Sequence, residues 1–445
     1  MKLPSYVLEC LNALEAAGYP AYAVGGCVRD ACLGLQPHDY DICTAAVPQQ
    51  TEAVFAGKKL VLAGEKHGTV GVVLSEDKPV EITTFRTEGA YRDNRHPDWV
   101  KFVDSVESDL ARRDYTVNAM AYSPTRGFAD PFGGRVDLES KMLRAVGDPV
   151  TRFQEDSLRI LRGVRFAVKY GLTVDPATED AMESQAQLMD NLAEERVFYE
   201  LCKLLPLVSA EDLCRFAPIL GTVIPELQPM IGFDQHSPHH AYDLFTHTAH
   251  VTAGVSADLT LRWAALLHDV GKPPCFSLGP DGVGHFYGHA AKSTELAEGI
   301  LTRLRFDTAG RTRIMQLIRY HDLPIAPEAK PIRRLMNKLG VETVRQLFEL
   351  HIADTCGQSA ICAGRVETYR QAERVLDELL AADACFSLKD LAVNGDDLLA
   401  LGLRGRAVGA ALQACLDAVM DETLPNDRAA LLGYAAENLQ RFANS

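Results

Sequence analysis

Gly25-Gly26-Cys27-Val28-Arg29-Asp30, followed nine residues later by Asp39-Tyr40-Asp41, is the stretch that decides the fold of the first part of this chain. The glycine pair follows an apolar run, so we expect a strand that ends in a tight turn, where backbone without a Cβ approaches a ligand closely. Asp39 and Asp41 lie on the same face if this segment is a strand. Paired carboxylates hold divalent cations, and a glycine turn beside them accommodates phosphate groups. Together the two pieces predict a metal-dependent phosphoryl-transfer site, although either alone is typical of an ordinary surface turn.

The composition describes an ordinary globular protein with several domains. The chain has 445 residues, too many for one hydrophobic core, so we expect two to four domains. Its first residues do not resemble a signal peptide, and no apolar run is long enough to cross a bilayer, so we expect no membrane partner. The 11 cysteines are dispersed without CxxC spacing. That pattern predicts reduced thiols in the cytoplasm and argues against disulfides and zinc fingers.

The charge is uneven along the chain. The formal net charge is −15, which argues against a protein that coats nucleic acid along its whole surface. Residues 101–170 nevertheless hold 12 Lys and Arg against 10 Asp and Glu, whereas residues 371–445 hold 6 against 12. A basic cleft in an acidic protein suits a polyanion that binds at one place.

Hydrophobic periodicity divides the chain into a mixed head and a helical remainder. Residues 70–74 and 80–85 are β-branched runs on either side of a polar turn, which predicts a hairpin, and residues 7–17 are amphipathic. From about residue 150 onward the pattern is almost wholly helical. We therefore predict an α+β chain with a head at 1–145, a helical neck and body at 146–235, a His-rich module at 236–365 and a helical tail at 366–445.

Three further motifs fit the predicted site in the head. Glu81, in the middle of a predicted strand, is the best candidate for the third carboxylate of a two-metal cage, although the solvent face of a hairpin strand is the ordinary interpretation. In the segment 112–119, arginines suit phosphate oxygens, while Asp114 and Asn118 suit a ribose. The segment 130–134 ends in Gly133-Gly134, which predicts a tight turn and a hinge.

The segment 155–167 predicts an amphipathic helix with two stripes. Apolar residues recur every three positions, and arginines follow one residue later at 159, 162 and 165. Asp156 and Glu155 lie three and four residues before Arg159, within reach of it on a helix, so a salt-bridged amphipathic helix is one interpretation. The other is a base-recognition edge, because a carboxylate that accepts and an arginine that donates complement both cytosine and adenine. Guanine and uracil instead present a ring N–H to the arginine.

In this order the motifs resemble the CCA-adding tRNA nucleotidyltransferases, in the bacterial class that also contains poly(A) polymerases. The resemblance covers about half of the chain. It implies a DNA polymerase beta-like nucleotidyltransferase head, a small mixed sheet with helices, followed by all-α parts. It implies that Asp39 and Asp41 bind Mg²⁺ with Glu81 in support. It also implies a set of nucleotide-binding residues: Gly25, Gly26 and Arg29 at the nucleotide, Arg113 and Asp114 at ribose and phosphate, Asp156 and Arg159 at the base, and Arg162 and Arg165 at base or triphosphate.

The implied reaction is the addition of C, C and A to the 3′ end of tRNA from CTP and ATP, without a nucleic-acid template. Poly(A) polymerases of this class usually end in a strongly basic extension, so the acidic tail favours the tRNA enzyme. Relatives that add only CC are truncated between the third carboxylate and the Arg-Arg-Asp motif, whereas this chain keeps Arg86, Glu88, Tyr91, Asp93, Arg95, Pro97 and Phe102. An enzyme that adds only A remains an alternative, and a tRNA-binding protein without activity is disfavoured by the three carboxylates.

The His-rich module resembles the HD superfamily of metal-dependent phosphohydrolases. Most of the 13 histidines lie between residues 236 and 351, which is unlike scattered core histidines. The resemblance implies a divalent cation (Mn, Ni, Fe, Co or Mg) held by His247, His268, Asp269 and Asp354. A hydrolase that opens 2′,3′-cyclic phosphates at RNA ends is the alternative function in another class, and a purely structural HD domain is the other interpretation. The resemblance also implies that the tail contacts the tRNA elbow, and the sequence leaves the oligomeric state open.

Overall fold

The computed structural model describes residues 1–74, 79–88 and 100–443 and divides the chain into two units. The first unit comprises Met1–Val208 and Arg215–Gln228, and the second comprises Ser209–Cys214 and Pro229–Ser445. The four predicted domain ranges are finer than this division and stay predictions. The turn at 75–78 and the loop residues Tyr91, Asp93, Arg95 and Pro97 lie outside the described residues.

The first unit is built on a mixed sheet of seven strands among the described residues, in the order β3-β4-β5-β2-β1-β8-β9. A separate antiparallel pair, β6 and β7, adjoins it in sequence. The strand bounds are β1 Ala21–Val24, β2 Asp41–Thr44, β3 Lys59–Val61, β4 Thr69–Val73, β5 Pro79–Thr84, β6 Arg86–Glu88, β7 Val100–Phe102, β8 Ala121–Ser123 and β9 Gly127–Ala129.

The strand register brings the predicted carboxylates together. β2 pairs in parallel with β5, so that Asp41 lies opposite Glu81, and antiparallel with β1, so that Asp41 lies opposite Val24. Because successive residues of a strand face opposite sides, Ile42 and Ile82 are buried while Asp41 and Glu81 are exposed. The predicted hairpin is confirmed as β4 and β5, which are antiparallel.

Helices cover the sheet and then form the rest of the first unit. The bounds in the first part are α1 Ser5–Ala16, α2 Gly26–Cys32, α3 Pro48–Val54, α4 Val106–Ala111 and α5 Gly134–Glu139. Those that follow are α6 Pro149–Glu155, α7 Leu158–Tyr170, α8 Pro176–Ser184, α9 Glu194–Leu204 and α11 Ala217–Val223, with a short parallel pair of β10 Met142–Leu143 and β11 Thr173–Val174. The helix between α9 and α11, α10 Ala210–Arg215, belongs to the second unit except for its last residue. The apolar stripe of α7 is buried as predicted.

The second unit is helical apart from one two-stranded pair, β12 Ser277–Leu278 with β13 Gly284–His285, in its described residues. The helices are α12 Leu244–Gly254, α13 Leu259–Leu267, α14 Lys272–Cys275, α15 His289–Arg303, α16 Thr308–Tyr320, α17 Ala329–Leu339, α18 Val341–Gly357, α19 Gly364–Ala381, α20 Gly395–Ala400, α21 Arg406–Met420, α22 Arg428–Glu437 and α23 Leu439–Ala443. The predicted change from a mixed head to an almost wholly helical remainder is confirmed. No helix in the described residues is both long and apolar enough to cross a bilayer.

Candidate active site

The glycine turn lies at the end of β1 and packs directly against an arginine. Gly25 has a φ of +76°, a conformation that favours glycine, and Gly26 begins α2. A Cβ at Gly25 would lie 2.7 Å from Nη1 of Arg113, so a side chain there would displace that guanidinium. The turn therefore leaves room for an arginine on one side of a cavity of about 460 Å³.

The predicted metal-binding carboxylates lie at the edge of this cavity. Asp41 lines it, Glu81 is its neighbour on β5, and Asp39 precedes β2 with its side chain 75% exposed. Desolvation raises the pKa of Asp41, and the negative charges of Glu81 and Asp39 raise it further, while Arg113 opposes them. Carboxylates that destabilise one another's charge in this way suit a divalent cation, and the all-oxygen donor set is the kind that Mg²⁺ prefers.

A buried network joins the Arg-Arg-Asp segment to α7. Asp114 accepts hydrogen bonds from Asn118 and from its neighbour's backbone N–H, and its carboxylate lies 2.7 Å from Nη2 of Arg162. Burial alone would raise the pKa of Asp114, but the charge of Arg162 and these hydrogen bonds outweigh it and lower the pKa to about 2. Asn118 also accepts a hydrogen bond from Arg29. These four side chains are consequently held in place before any ligand binds.

The predicted base-reading residues both line the cavity, but they are paired with other residues. Arg159 donates from Nη1 to Glu155 at 2.6 Å, as predicted, while Asp156 pairs with Arg196 through both carboxylate oxygens at 2.8 and 3.2 Å. The predicted reach of Asp156 to Arg159 required one continuous helix. Instead α6 ends at Glu155 and α7 begins at Leu158, so Asp156 lies at the junction and faces α9.

The predicted nucleotide-binding residues are mostly brought together. Those that line the cavity are Gly25, Gly26, Arg29, Asp41, Arg113, Asp114, Asp156, Arg159 and Arg162. Arg165 does not line it, because its guanidinium pairs with the buried Glu200 at 2.5 Å and lies over the ring of Phe166. Asp39 and Glu81 lie outside the lining as well.

Three residues of this site were not proposed from the sequence. Arg196 lines the cavity, but it lies 40 residues beyond Asp156 and no local spacing marks it. Phe166 also lines the cavity, with the guanidinium of Arg29 5.3 Å from its ring. Asp109 is buried and pairs with Arg112 at 2.8 Å and Arg113 at 3.4 Å. Asp109 precedes Arg112 by three residues and Arg113 by four, and this spacing could have identified it from the sequence.

A second group of functional side chains lies in the second unit. His247 on α12, His268 after α13 and Asp354 on α18 present ligand atoms that all lie within 4.8 Å of one another. Asp269 adds a carboxylate oxygen 3.2 Å from Nε2 of His268. All four predicted ligands of the HD module are thus brought together.

The donor set of this group fits a divalent cation. Nε2 of His247, Nε2 of His268 and Oδ1 of Asp269 are buried and make no hydrogen bond of good geometry among the described residues, although carboxylate oxygens lie 3.0 Å from the first atom and 3.2 Å from the second. Buried polar atoms are rarely left without a partner, so this donor set fits a divalent cation. Burial would lower the pKa of His268, but the charges of Asp269 and Asp354 and their hydrogen bonds outweigh burial and raise it to about 10.

Comparison with known proteins identifies four family models along the chain. The Poly A polymerase head domain matches residues 21–144, the RNA and SrmB-binding site of polymerase A matches 171–212, the HD domain matches 244–347 and tRNA nucleotidyltransferase domain 2 matches 329–435. A solved structure of the Bacillus stearothermophilus CCA-adding enzyme in complex with CTP superposes with a TM-score of 0.74 at 29% identity, over 100% of both chains. Nucleotidyltransferases of this type use a divalent metal ion.

Two curated relatives differ in how much of them is matched. A CCA-adding enzyme of Streptococcus suis is 50% identical over 206 residues, and this alignment spans 46% of the present chain but only half of the relative's length. A CCA-adding enzyme of Lactiplantibacillus plantarum is 34% identical over 433 residues, 96% of this chain and 94% of that protein. With a match of this identity over nearly the whole of both proteins, the chain belongs to the CCA-adding enzyme family.

Proposed function

We infer that this protein adds C, C and A to the 3′ end of tRNA from CTP and ATP, without a nucleic-acid template. The observation that carries this inference is one cavity lined both by the glycine turn with Asp41 and by the side chains Asp156 and Arg159. A phosphoryl-transfer site and a set of side chains able to select a base therefore face the same bound nucleotide.

The hydrogen-bonding capacity of Arg159 and Asp156 supports selection of cytosine and adenine. Among the described residues, three of the five N–H groups of Arg159 are used, by Glu155 and by the carbonyls of Arg152 and Arg112. Two donors remain, which match N3 and O2 of cytosine, and one of them matches N1 of adenine. The carboxylate of Asp156 accepts from the exocyclic amino group that both bases carry.

We propose the remaining roles in the head from the same geometry. Asp39, Asp41 and Glu81 would hold Mg²⁺, which when bound neutralises triphosphate charge and lowers the pKa of the attacking 3′-hydroxyl. The proposed contacts with the nucleotide are Gly25, Gly26 and Arg29 at its backbone, Arg113 and Asp114 at ribose and phosphate, and Arg162 and Arg165 at base or triphosphate. Asp109 fixes the direction of Arg113 through its buried carboxylate.

The acceptor stem and elbow of tRNA are the proposed macromolecular ligand, with the tail at the elbow. One of the solved structures with the same fold is a Thermotoga maritima CCA-adding enzyme complexed with tRNA, at 18% identity and a TM-score of 0.61. We assign the protein to the cytoplasm, where tRNA is processed, because all of its 11 cysteines are free thiols.

The test is incorporation of each labelled nucleotide into tRNA that ends either at the discriminator base or at CC. We expect two C and then one A on the first substrate, and a single A on the second. Asp41→Ala should abolish incorporation, while Asp104→Ala, a change at an exposed carboxylate outside the cavity, should not. Addition of A alone would identify an A-adding enzyme, and long A tails would identify a poly(A) polymerase.

We further propose that His247, His268, Asp269 and Asp354 hold a divalent cation, such as Mn, Ni, Fe, Co or Mg, and that this centre hydrolyses phosphoesters at RNA ends. The favouring observation is a cavity of about 370 Å³ beside these ligands that is also lined by Lys272 and Arg365, two cations that suit a phosphate group. Hydrolysis of 2′,3′-cyclic AMP in the presence of each metal tests this proposal. His268→Ala should remove the activity, and hydrolysis that survives this change would contradict it.

A further inference from the structure

A second cavity adjoins the one beside the four predicted ligands of the HD module (the HD centre). Its volume is about 480 Å³, within the range of about 300–1,000 Å³ that small-molecule sites occupy. The two cavities share five lining residues, among them Asp354 and Arg365. The second cavity also reaches residues that do not line the first, namely Pro324, Ile325, His351, Thr355, Thr368 and Tyr369. A ligand with a phosphate group at the HD centre therefore has room for a second part in this cavity.

Gln358, which directly follows α18, presents an unpaired hydrogen-bond acceptor in the shared part of the two cavities. Its Nε2 donates to Oδ2 of Asp354 at 3.1 Å. Because a carboxylate only accepts, this contact fixes which end of the amide faces Asp354 and leaves Oε1 at the other end. Oε1 is buried and has no hydrogen-bond partner among the described residues. A buried amide oxygen without a partner costs free energy, so this position favours a ligand that donates a hydrogen bond.

His351 of α18 and Tyr369 of α19 form an aromatic wall of the second cavity. Their ring centroids lie 4.6 Å apart, with the planes inclined by 23°. His351 is only 2% exposed, and its Nε2 makes no hydrogen bond of good geometry with a described residue, although the backbone of Tyr320 lies near the ring. Pro324 and Ile325 add apolar surface. Aromatic and apolar walls with a few polar groups are the usual lining of a site that holds an organic ring.

The two cavities favour different parts of a nucleotide. The first is lined by Lys272 and Arg365, whose charges suit phosphate oxygens. Lys272 does not line the second, where the free oxygen of Gln358 requires a donor that a phosphodiester does not supply. Ribose hydroxyls and the exocyclic amino groups of adenine and cytosine do supply such donors.

We propose that the second cavity is a nucleoside-binding subsite of the HD centre, with Gln358 and His351 as its hydrogen-bonding groups and Tyr369 in its wall. The inference rests on the proposed hydrolysis at RNA ends and deepens it, because it makes the centre selective for nucleotides rather than for phosphoesters in general. Gln358 and Arg365 line both cavities, so we expect them to lie where the ribose joins the phosphate.

The kinetic test compares two cyclic phosphates that differ in the presence of a nucleoside. The full chain with Mn²⁺ is assayed on 2′,3′-cyclic AMP and on glycerol 1,2-cyclic phosphate, which carries the same reacting ring, and both reactions are followed by phosphorus NMR. We expect kcat/KM to be about 100-fold higher for 2′,3′-cyclic AMP. His351→Phe keeps a ring beside Tyr369 but removes the nitrogens, and Thr368→Trp fills the cavity. Each should lower kcat/KM for 2′,3′-cyclic AMP about 10-fold or more and leave kcat/KM for the glycerol compound unchanged.

The matched control is His250→Phe, because His250 stacks on Tyr242 at 4.5 Å between ring centroids and lines neither cavity. This variant should keep the preference for 2′,3′-cyclic AMP. An equal loss of both reactions in His351→Phe and Thr368→Trp, or no loss of either, would overturn the subsite and leave the hydrolytic centre in place.

Binding of adenosine, measured by titration calorimetry, tests the subsite without the reaction. The proposed nucleotide site of the head also accepts adenosine, so the informative quantity is the binding that Thr368→Trp removes, which should be one equivalent per chain. Identical binding by the unchanged chain and Thr368→Trp would overturn the subsite. An unchanged chain that hydrolyses neither cyclic phosphate would instead overturn the proposed hydrolysis, and the adenosine comparison would still decide the subsite.

Discussion

The cavity of the head and the HD centre are both built around carboxylates, but different side chains balance their charge. In the head, the acids next to the predicted base and ribose contacts already have arginine partners: Asp114 pairs with Arg162, Asp156 with Arg196 and Glu155 with Arg159. In the HD centre, Asp269 has one cationic partner, Lys272 at 2.8 Å, and Asp269 and Asp354 otherwise face the imidazoles of His247 and His268. The acids of the head are therefore neutralised mainly by arginines, whereas those of the HD centre mainly face imidazoles that could share a cation with them.

The largest expected effects separate the two regions completely. Asp41→Ala should lower nucleotide incorporation by about 10³-fold or more, because it removes a carboxylate from the proposed metal cage, and it should leave metal binding at the HD centre unchanged. His268→Ala should do the reverse. Both activities are measured on both variants. Loss of both activities in either variant would contradict this separation, because it would make the two regions one functional unit.

A smaller effect, on the discrimination between CTP and UTP, is expected from changes to the ion pair of Asp156 with Arg196. Asp156→Asn should reduce discrimination between CTP and UTP by about 10- to 100-fold, because its amide N–H can donate to O4 of uracil. Arg196→Gln should reduce it by only about threefold, since the carboxylate remains but loses the partner that holds it.

The measurement for both variants is the ratio of kcat/KM for the two nucleotides. Arg215→Gln is the matched control, because Arg215 forms an ordinary pair with Glu179 at 2.8 Å. Unchanged nucleotide selection in Asp156→Asn would contradict the assigned base reader. An equal loss in both variants would mean that Arg196 itself contacts the base.

The smallest effect concerns stability at acidic pH. The folded pKa of Asp114 is about 2, below its ordinary unfolded value of about 3.9, so its charge contributes about 2.5 kcal/mol that is present above pH 4 and lost as the pH falls towards 2. The free energy of unfolding by urea should therefore fall less steeply between pH 5 and pH 3 in Asp114→Asn than in the unchanged chain. Parallel pH profiles would show that the network around Asp114 contributes no stability.

Local sequence patterns predicted those parts of the site that a single element supplies. The alternation around Ile82 assigned Glu81 to an exposed strand face, and the spacing of the arginines assigned them to one helix, as observed in β5 and α7. The partner of Asp156 was not predictable in this way. It depends on where α6 stops and on which residue of α9 faces that junction, and both follow from tertiary packing rather than from neighbours in sequence.

In the HD centre, too, the sequence identified some of the clustered side chains and not others. His247, His268, Asp269 and Asp354 were found because a known order of residue types marks them. His289 and His321 are ordinary single histidines at a helix start and a helix end, and only the fold brings their rings within 3.2 Å of each other.

A buried tyrosine also joins the Arg-Arg-Asp segment to α7. The hydroxyl of Tyr115 donates to the carbonyl of Arg159 at 2.7 Å, and it fits only because Gly163 has no side chain. With the pairing of Asp114 to Arg162, this contact fixes the helix proposed to select the base against the segment proposed to face the phosphates. The spacing between these two segments is therefore set by the protein's own contacts before a nucleotide binds. On the proposed function, CTP and ATP both have to fit this one spacing.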